Sequence, residues 1–134
     1  MVLIETDIII ALASRTDRHH KDVKKLLNNL ASVKLSPYSL IELDLLIMSR
    51  SLVVKIPEFY QVLDDTLKYY DISVLTSRPS HFTRAWHLRD KYDLTFFDSL
   101  HAATALEERE ILVSYDRTYA KIKELEYKHP SSFL

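Results

Sequence analysis

The sequence predicts an α/β protein of three layers, with a central parallel sheet of four to five strands between two layers of helices. Short aliphatic runs such as Val2 to Ile4 and Ile111 to Val113 alternate with longer segments of helical periodicity. Parallel strands need crossover connections, and the helices in these connections cover both faces of the sheet. The chain has 134 residues, of which 47% are hydrophobic. This length and composition predict one domain, residues 1–134, with a substantial core.

Apolar runs, caps and proline positions predict the elements in order. The first strand is expected to bend near Thr6 and Asp7 into a helix, and Asp17 is the expected N-cap of the second helix. Ser36 and Pro37 begin the third helix, as a cap followed by proline in the first turn. The predicted strands are 2–4, 33–35, 72–75 and 111–113, and the predicted helices are 8–13, 18–30, 38–48, 57–70, 80–92 and 97–108. Residues 128–134 are expected to add an edge strand or to pack against the domain.

The composition excludes several classes of protein. Without cysteine the chain has no disulfide and no thiolate zinc site, so oxygen or imidazole ligands must hold any metal, which favours Mg²⁺ or Mn²⁺. No basic and apolar leader opens the sequence, and no uncharged apolar run approaches the ~20 residues of a membrane span. The expectation is a cytoplasmic protein without a membrane segment. The formal net charge of -1 indicates no particular partner.

The sequence contains no glycine, the residue that most easily takes a positive φ angle. Short polar side chains tolerate this conformation better than most others do. Asp93 and the Asn28–Asn29 pair are therefore the positions expected to adopt it.

Five acidic residues adjoin apolar runs that are expected to be buried, namely Glu5, Asp7, Glu42, Asp98 and Asp116. A carboxylate beside a core is costly unless its charge is compensated, and a divalent metal compensates several carboxylates at once. Parallel sheets bind ligands beyond the carboxyl ends of their strands. Two of the acids end the first predicted strand, one follows the fourth, and two lie early in helices that can face the same edge. The sequence therefore predicts a metal site at that edge.

Four segments resemble, in order and spacing, the motifs of one known protein family. They are residues 2–12 (VLIETDIIIAL), 35–43 (LSPYSLIEL), 94–105 (LTFFDSLHAATA) and 111–119 (ILVSYDRTY). The family is the PIN domain, whose single-domain members include the VapC toxins of toxin–antitoxin pairs. The third segment is the most specific, and together the four span nearly the whole chain.

The resemblance implies an endoribonuclease that uses Mg²⁺ or Mn²⁺ and acts as a toxin, with RNA as substrate and a small antitoxin as partner. The implied metal ligands are Glu5, Asp7, Asp98 and Asp116, and Glu42 is a further ligand or orients a water. Glu5 stands where the family has Asp, and Asp7 takes the auxiliary position. Glutamate is one methylene longer, and Mg²⁺ demands near-octahedral geometry. The longer arm therefore shifts the metal, passes the ligand role to Asp7, or abolishes activity.

Other polar residues have both functional and structural interpretations. His101 lies three residues after Asp98 on the same side of a helix, where it either bonds a ligand carboxylate or the scissile phosphate or is simply packed. Ser114 either orients a carboxylate or a water or satisfies backbone groups. The basic residues after the first motif form either a phosphate track or a solvated helix face. This set comprises Arg15, Arg18 and Lys21 with their basic neighbours, and Lys55, Arg84 and Arg89 are weaker candidates.

The third predicted helix, from Tyr38 to Met48, carries apolar residues on all sides. Such a helix must bury more than one face. Neighbouring helices of the domain cover it, or part of it lies in a homodimer or antitoxin interface. For a subunit contact, the candidate positions are Leu43, Ile47 and Met48.

Two further functions compete with a nuclease. In the first, the change at Glu5 has inactivated the site, and a PIN-like module binds RNA or a protein without cleaving. In the second, the acids form the magnesium pocket of a phosphotransfer receiver, but no lysine follows a late strand at the expected place.

Overall fold

The computed structural model describes all residues, 1–134, and places five short strands in one sheet. The strands are β1 (Val2–Ile4), β2 (Val33–Leu35), β3 (Ser73–Val74), β4 (Ile111–Val113) and β5 (Tyr127–Lys128). All neighbours pair in parallel, in the order β3-β2-β1-β4-β5. The predicted α/β fold class is confirmed. Of the tail expected at residues 128–134, only Lys128 lies in the edge strand β5, and Pro130–Phe133 form a 3₁₀ helix whose Phe133 carbonyl accepts from the Asn29 side chain.

Six α-helices and two short 3₁₀ helices connect and cover these strands. The α-helices are α1 (Thr6–Ala13), α2 (His20–Asn29), α3 (Tyr38–Met48), α4 (Glu58–Tyr69), α5 (Pro79–Lys91) and α6 (Phe96–Glu108). The 3₁₀ helices are Arg117–Lys121 and Pro130–Phe133. None of the helices combines the length and the apolar composition that crossing a membrane requires.

The two faces of the sheet bury separate cores. Successive side chains of a strand point to opposite faces, so Val2 and Ile4 belong to one core while Leu3 between them belongs to the other. Helices α1 to α4 cover the first core, and α5 and α6 cover the second. With both faces buried, the strands are apolar throughout, as the sequence shows.

The start of the chain differs from the prediction in detail. The bend lies at Glu5, which is extended and caps α1, so the helix begins at Thr6 and includes Asp7. Glu5 is therefore extended while Asp7 is helical. Asp17 is also not the N-cap of α2, because its carboxylate accepts from the His19 backbone N–H in the preceding turn, and the helix begins at His20.

Three residues have positive φ angles, and none of them is a predicted one. They are Arg50, Asp71 and Arg109, with φ values of 62°, 55° and 56°. Arg109 ends α6 in the left-handed conformation, and its N–H donates to the carbonyls of Ala105 and Leu106. The expectation for Asp93 and Asn28–Asn29 was wrong because the geometry of the helix end, not side-chain preference, selects the position.

Helix α3 buries one side and exposes the other. Leu43 and Ile47 lie in the core, whereas Met48 is exposed. The exposed apolar side chains on α3 are Ile41, Leu45 and Met48, which recur at the spacing of one helical face. Neighbouring helices therefore cover only half of this helix.

Candidate active site

The site lies at the carboxyl edge of the three central strands. Glu5 follows β1, Ser36 follows β2 and Ser114 follows β4, and all three side chains are buried. Because β1 lies between β2 and β4, these residues occupy adjacent positions along the edge. Glu42 of α3 and Asp98 of α6 reach the same region from the two helical layers.

Glu5 is held by hydrogen bonds on both carboxylate oxygens. Its Oε1 accepts from the backbone N–H of Asp7 at 3.2 Å, and its Oε2 accepts from the Ser114 hydroxyl at 3.0 Å. The Tyr119 hydroxyl also lies 3.3 Å from Oε2. Only 5% of the residue is exposed, and this burial raises the pKa of the Glu5 carboxyl. The longer side chain is accommodated inside the edge of the sheet and does not extend into solvent.

Asp7 joins Glu5 through a shared partner. Its Oδ2 accepts from the Ser114 hydroxyl at 2.9 Å and from the Tyr115 backbone N–H at 2.8 Å. Its Oδ1 is buried and has no hydrogen-bond partner. Burial, reinforced by the negative charge of Glu5, raises the pKa of Asp7 to about 7.

The Ser114 hydroxyl has a single proton but faces two carboxylate oxygens, those of Glu5 and Asp7. It therefore cannot fully satisfy both carboxylates when both are ionised. Either one carboxyl keeps a proton, in agreement with the raised pKa values, or a cation neutralises the pair.

Glu42 is anchored by Thr6 and His101. Its Oε1 accepts from the Thr6 hydroxyl and from His101 Nε2, which lies 2.9 Å away. His101 Nδ1 lies 2.7 Å from the Ser36 hydroxyl, so both imidazole nitrogens are engaged. Burial alone would raise the pKa of Glu42, but the hydrogen bonds from His101 and Thr6 outweigh it and lower that pKa. Glu42 is therefore an ionised carboxylate held in a fixed orientation.

Glu5, Glu42 and His101 form one compact group of potential metal ligands. One donor atom from each lies within 4.8 Å of the others. Since both His101 nitrogens already have partners, its observed role is to position Glu42.

Asp98 connects to the buried acids through Tyr119. The Tyr119 hydroxyl lies 3.2 Å from Asp98 Oδ1 and 3.3 Å from Glu5 Oε2, so it bridges the two carboxylates. Asp98 lies in the first turn of α6, where its N–H donates to the capping Thr95 hydroxyl. Burial and the nearby acids raise the pKa of Tyr119 well above the ordinary value, so the hydroxyl stays protonated and able to donate.

Asp116 adjoins the site through its backbone. Its N–H donates to the Ser114 hydroxyl at 3.0 Å, while its Oδ1 accepts from the Thr118 N–H and caps the 3₁₀ helix. Its carboxylate shares no hydrogen-bond partner with the carboxylates of the other four acids. The structure thus links Glu5, Asp7 and Asp98 through Ser114 and Tyr119, and it places a carboxylate oxygen of Glu42 within 4.8 Å of one of Glu5. The Asp116 carboxylate lies outside this network.

The predicted basic track divides into separate parts. Arg18 donates to His19, whose ring stacks on Tyr115 at a centroid distance of 3.8 Å, and Tyr115 in turn contacts Asp7. Arg15 instead lies with Lys24 and Tyr70 in a separate depression, and Lys21 is exposed. Of the three predicted residues, only Arg18 is linked to the acidic edge by these contacts.

The donor set suits a divalent cation. The buried acids offer carboxylate oxygens of the kind that Mg²⁺ and Mn²⁺ prefer, and Asp7 Oδ1 has no partner inside the protein. A cation would also remove the need for a shared proton between Glu5 and Asp7. The residues present therefore fit a metal of this class.

Sequence reasoning missed the roles of Thr6, Ser36 and Tyr119 in this network. For Thr6 and Ser36 a signal was present. Thr6 lies between the predicted acids Glu5 and Asp7, and Ser36 immediately follows the predicted strand 33–35. Tyr119 had no such signal, since its hydroxyl reaches the acids from the following 3₁₀ helix.

Comparison with known proteins agrees with this architecture. The PIN domain family model matches residues 2–125, and the chain therefore belongs to the PIN domain family. Its structural neighbours include VapBC structures, a toxin–antitoxin complex and the toxin VapC20. A search of curated proteins finds no significant match.

Three solved structures illustrate the likeness. VapBC-1 from nontypeable Haemophilus influenzae aligns with a TM-score of 0.75 and 15% identity, over 98% of this chain and 99% of that chain. VapBC2 from Rickettsia felis, bound to a promoter DNA fragment, aligns with a TM-score of 0.73 and 18% identity, over 96% of this chain and 98% of that chain. VapC20 from Mycobacterium tuberculosis, described as a Sarcin-Ricin loop cleaving toxin, aligns with a TM-score of 0.73 and 17% identity, over 94% of this chain and 98% of that chain. At these identities the likeness defines the fold.

Proposed function

We propose that this protein is a metal-dependent endoribonuclease and the toxin of a toxin–antitoxin pair. The observation that carries the proposal is the network of buried carboxylates at the edge of the sheet, in which Ser114 joins Glu5 to Asp7 and Tyr119 joins Glu5 to Asp98. Membership of the PIN domain family supports nuclease chemistry for such a network. The expected location, the cytoplasm, stays a prediction.

In this proposal Glu5, Asp7 and Asp98 hold Mg²⁺ or Mn²⁺, and Asp116 contributes after a rotation of its side chain. When bound, the ion lowers the pKa of a coordinated water and stabilises negative charge on the phosphate. Thr6 and His101 hold Glu42 ionised and fixed, so its free Oε2 is available to orient the attacking water. Ser114 and Tyr119 keep the carboxylates at their separations without adding charge. No covalent intermediate is needed.

The proposal is tested by incubating purified protein with total RNA in Mg²⁺, in Mn²⁺ and in EDTA, and by sequencing the ends. We expect cleavage only with metal and none from Asp98→Asn, because that change removes a ligand charge while keeping the shape of the side chain. Asp90→Asn is a matched control, since Asp90 is an exposed acid on α5. Cleavage in EDTA, or by a folded Asp98→Asn protein, would refute the proposed site.

A non-catalytic PIN-like binding module has one specific observation in its favour. Both oxygens of Glu5 already have hydrogen-bond partners inside the protein. If these bonds exclude a metal, the wild type is inactive while Glu5→Asp, with its shorter arm, gains cleavage in Mn²⁺.

We also propose that the chain forms a homodimer through α3 and binds an antitoxin in a different place. The exposed stripe of Ile41, Leu45 and Met48 is the proposed subunit contact. The proposed antitoxin groove lies between α1 and α4, where Ile10, Phe59 and their neighbours form an apolar lining. The solved neighbours that are toxin–antitoxin complexes support a protein partner of this kind.

Two substitutions separate these interfaces, and each is the control for the other. Ile41→Glu should yield a folded monomer that still binds the antitoxin, because an unpaired charge in a desolvated contact costs several kcal/mol. Val53→Glu, in the exposed lining of the groove, should leave the dimer intact and abolish binding of the product of an adjacent small gene. Light scattering and co-purification measure the two effects. A monomeric wild type would refute the proposed homodimer. Unaltered co-purification of the partner with Val53→Glu would refute the proposed antitoxin groove.

A further inference from the structure

Two exposed aromatic rings enclose an arginine on the surface beside the candidate active site. Trp86 is 63% exposed and Phe96 is 57% exposed. The Arg89 guanidinium lies 5.0 Å from the Trp86 ring centre and 5.1 Å from the Phe96 ring centre. These residues are named here the Trp86–Arg89–Phe96 stack.

The stack is fixed before any ligand binds. Trp86 and Arg89 are three residues apart on α5 and thus share a face, while Phe96 begins the neighbouring α6. Arg89 Nε donates to the Ser99 hydroxyl at 2.7 Å, and that hydroxyl donates to the Phe96 carbonyl at 2.7 Å. Helices α5 and α6 pack together, so the spacing of the rings is set by the core and not by flexible loops.

The arginine brings a positive charge to the stack. Its Nη2 atom is buried and has no hydrogen-bond partner in the protein, so that atom is not accessible to a ligand. The guanidinium lies over both rings and is stabilised by cation–π interactions, while more than half of each aromatic residue stays exposed. A nucleobase supplies a π face that stacks on the exposed rings, and the phosphate that accompanies it suits the positive charge, whereas a neutral apolar partner would use the rings alone.

The stack lies close to Asp98 along the chain. Phe96 is two residues before Asp98, in the same first turn of α6, and Ser99, which holds Arg89, immediately follows Asp98. Residues two apart in a helix point to different sides, so a strand held at Asp98 has to pass around this turn, which is about 10 Å across, to reach the aromatic faces. Single-stranded RNA, whose bases are free to stack, fits this arrangement better than a duplex.

We propose that the Trp86–Arg89–Phe96 stack is a base-stacking subsite for single-stranded RNA next to the metal site. This inference rests on the proposed ribonuclease function and adds the way in which the substrate is held. Stacking on aromatic residues tolerates any base, so the subsite contributes affinity and alignment more than sequence specificity.

The test uses Trp86 as a built-in probe, because it is the only tryptophan in the chain. A short oligoadenylate is titrated into full-length Asp98→Asn protein, which retains the stack but should not cleave. Intrinsic fluorescence is followed in one experiment, and anisotropy of end-labelled oligoadenylate in another. We expect saturable quenching of Trp86, and we expect Trp86→Ala or Phe96→Ala to weaken binding by about 5-fold or more.

Phe82→Ala is the matched control, since Phe82 is an exposed aromatic residue on α5 that contacts Tyr38 and takes no part in the stack. Its affinity should equal that of the parent protein. Saturable binding without quenching, unchanged affinity of Trp86→Ala, or no binding at all would overturn the inference. A Trp86 signal that changes with protein concentration alone would also overturn it, because a second copy would then cover the stack.

Failure of this inference is distinguishable from failure of the proposed function. If wild-type protein cleaves RNA with metal and Trp86→Ala cleaves equally at limiting substrate, only the subsite is lost. If wild-type protein does not cleave RNA but oligoadenylate quenches the fluorescence of Trp86, the base-stacking subsite is supported and the proposed ribonuclease activity is refuted.

Discussion

Asp7→Asn is predicted to remove a large pH dependence from the stability of the metal-free protein. The native pKa of Asp7 is about 7, whereas the ordinary value is 3.8. A raised native pKa means that the folded state binds the proton more tightly than the unfolded chain does. The stabilising contribution is therefore complete below the ordinary pKa and is lost as the pH rises through about 7.

The magnitude follows from the linkage relation. Each pH unit between the two pKa values is worth ~1.4 kcal/mol, so raising the pH from about 5 to about 8 should cost on the order of 3 kcal/mol. For a domain of this size that corresponds to a fall of roughly 1–2 M in the urea midpoint. Burial raises the pKa of Glu5 as well, so the neighbouring carboxyl acts in the same direction.

The assay is urea unfolding in EDTA across this pH range, followed by circular dichroism. Asp7→Asn should flatten the dependence, and the exposed control Asp90→Asn should not alter it. Saturating Mg²⁺ should restore most stability near pH 8, because the cation replaces the missing proton and binds only the native state. A wild type as stable at pH 8 as at pH 5 in EDTA, or equal slopes for wild type and Asp7→Asn, would refute the reasoning.

Three further outcomes are expected. Glu5→Asp should preserve or raise Mn²⁺-dependent RNA cleavage and Glu5→Gln should lower it strongly; a mild effect of Glu5→Gln together with a strong loss in Asp7→Asn, in a steady-state assay, would show that Asp7 has replaced Glu5 as ligand. His101→Ala should lower kcat by about 10- to 100-fold with little change in KM, because Glu42 loses its orienting partner; unchanged kcat would exclude that role. Arg109→Gly should stabilise the fold by about 0.5–1 kcal/mol, since glycine adopts the left-handed conformation without steric cost; a lower urea midpoint would contradict this.

The sequence was sufficient to predict the three layers of the fold, because the apolar patterns that define strands and helices are local. Runs such as 2–4 and 111–113 are buried on both faces, and the flanking helices carry clear periodicity. The convergence of the acids also followed from topology, since strand ends in a parallel sheet share one edge. These features need only the order of the elements.

The remaining details depend on contacts between distant segments. Tyr119 bridges Glu5 and Asp98 across 114 and 21 residues of sequence, and no local pattern encodes that distance. The position of Asp116 is similar: its carboxylate caps the 3₁₀ helix, which a strand-end argument does not foresee. Exposure of Ile41 and burial of Leu43 likewise depend on where neighbouring helices end.

The central claim is that the acidic edge binds a divalent metal through Asp98 and the first-motif acids. Mn²⁺ titration followed by electron paramagnetic resonance tests it most directly, because the signal of free Mn²⁺ falls on binding whether or not RNA is cleaved. We predict saturable binding to the wild type and to Asp90→Asn, with affinity at least about 10-fold weaker for Asp98→Asn and Asp7→Asn. Equal Mn²⁺ affinity for all four proteins, or no binding by the wild type, would contradict the account.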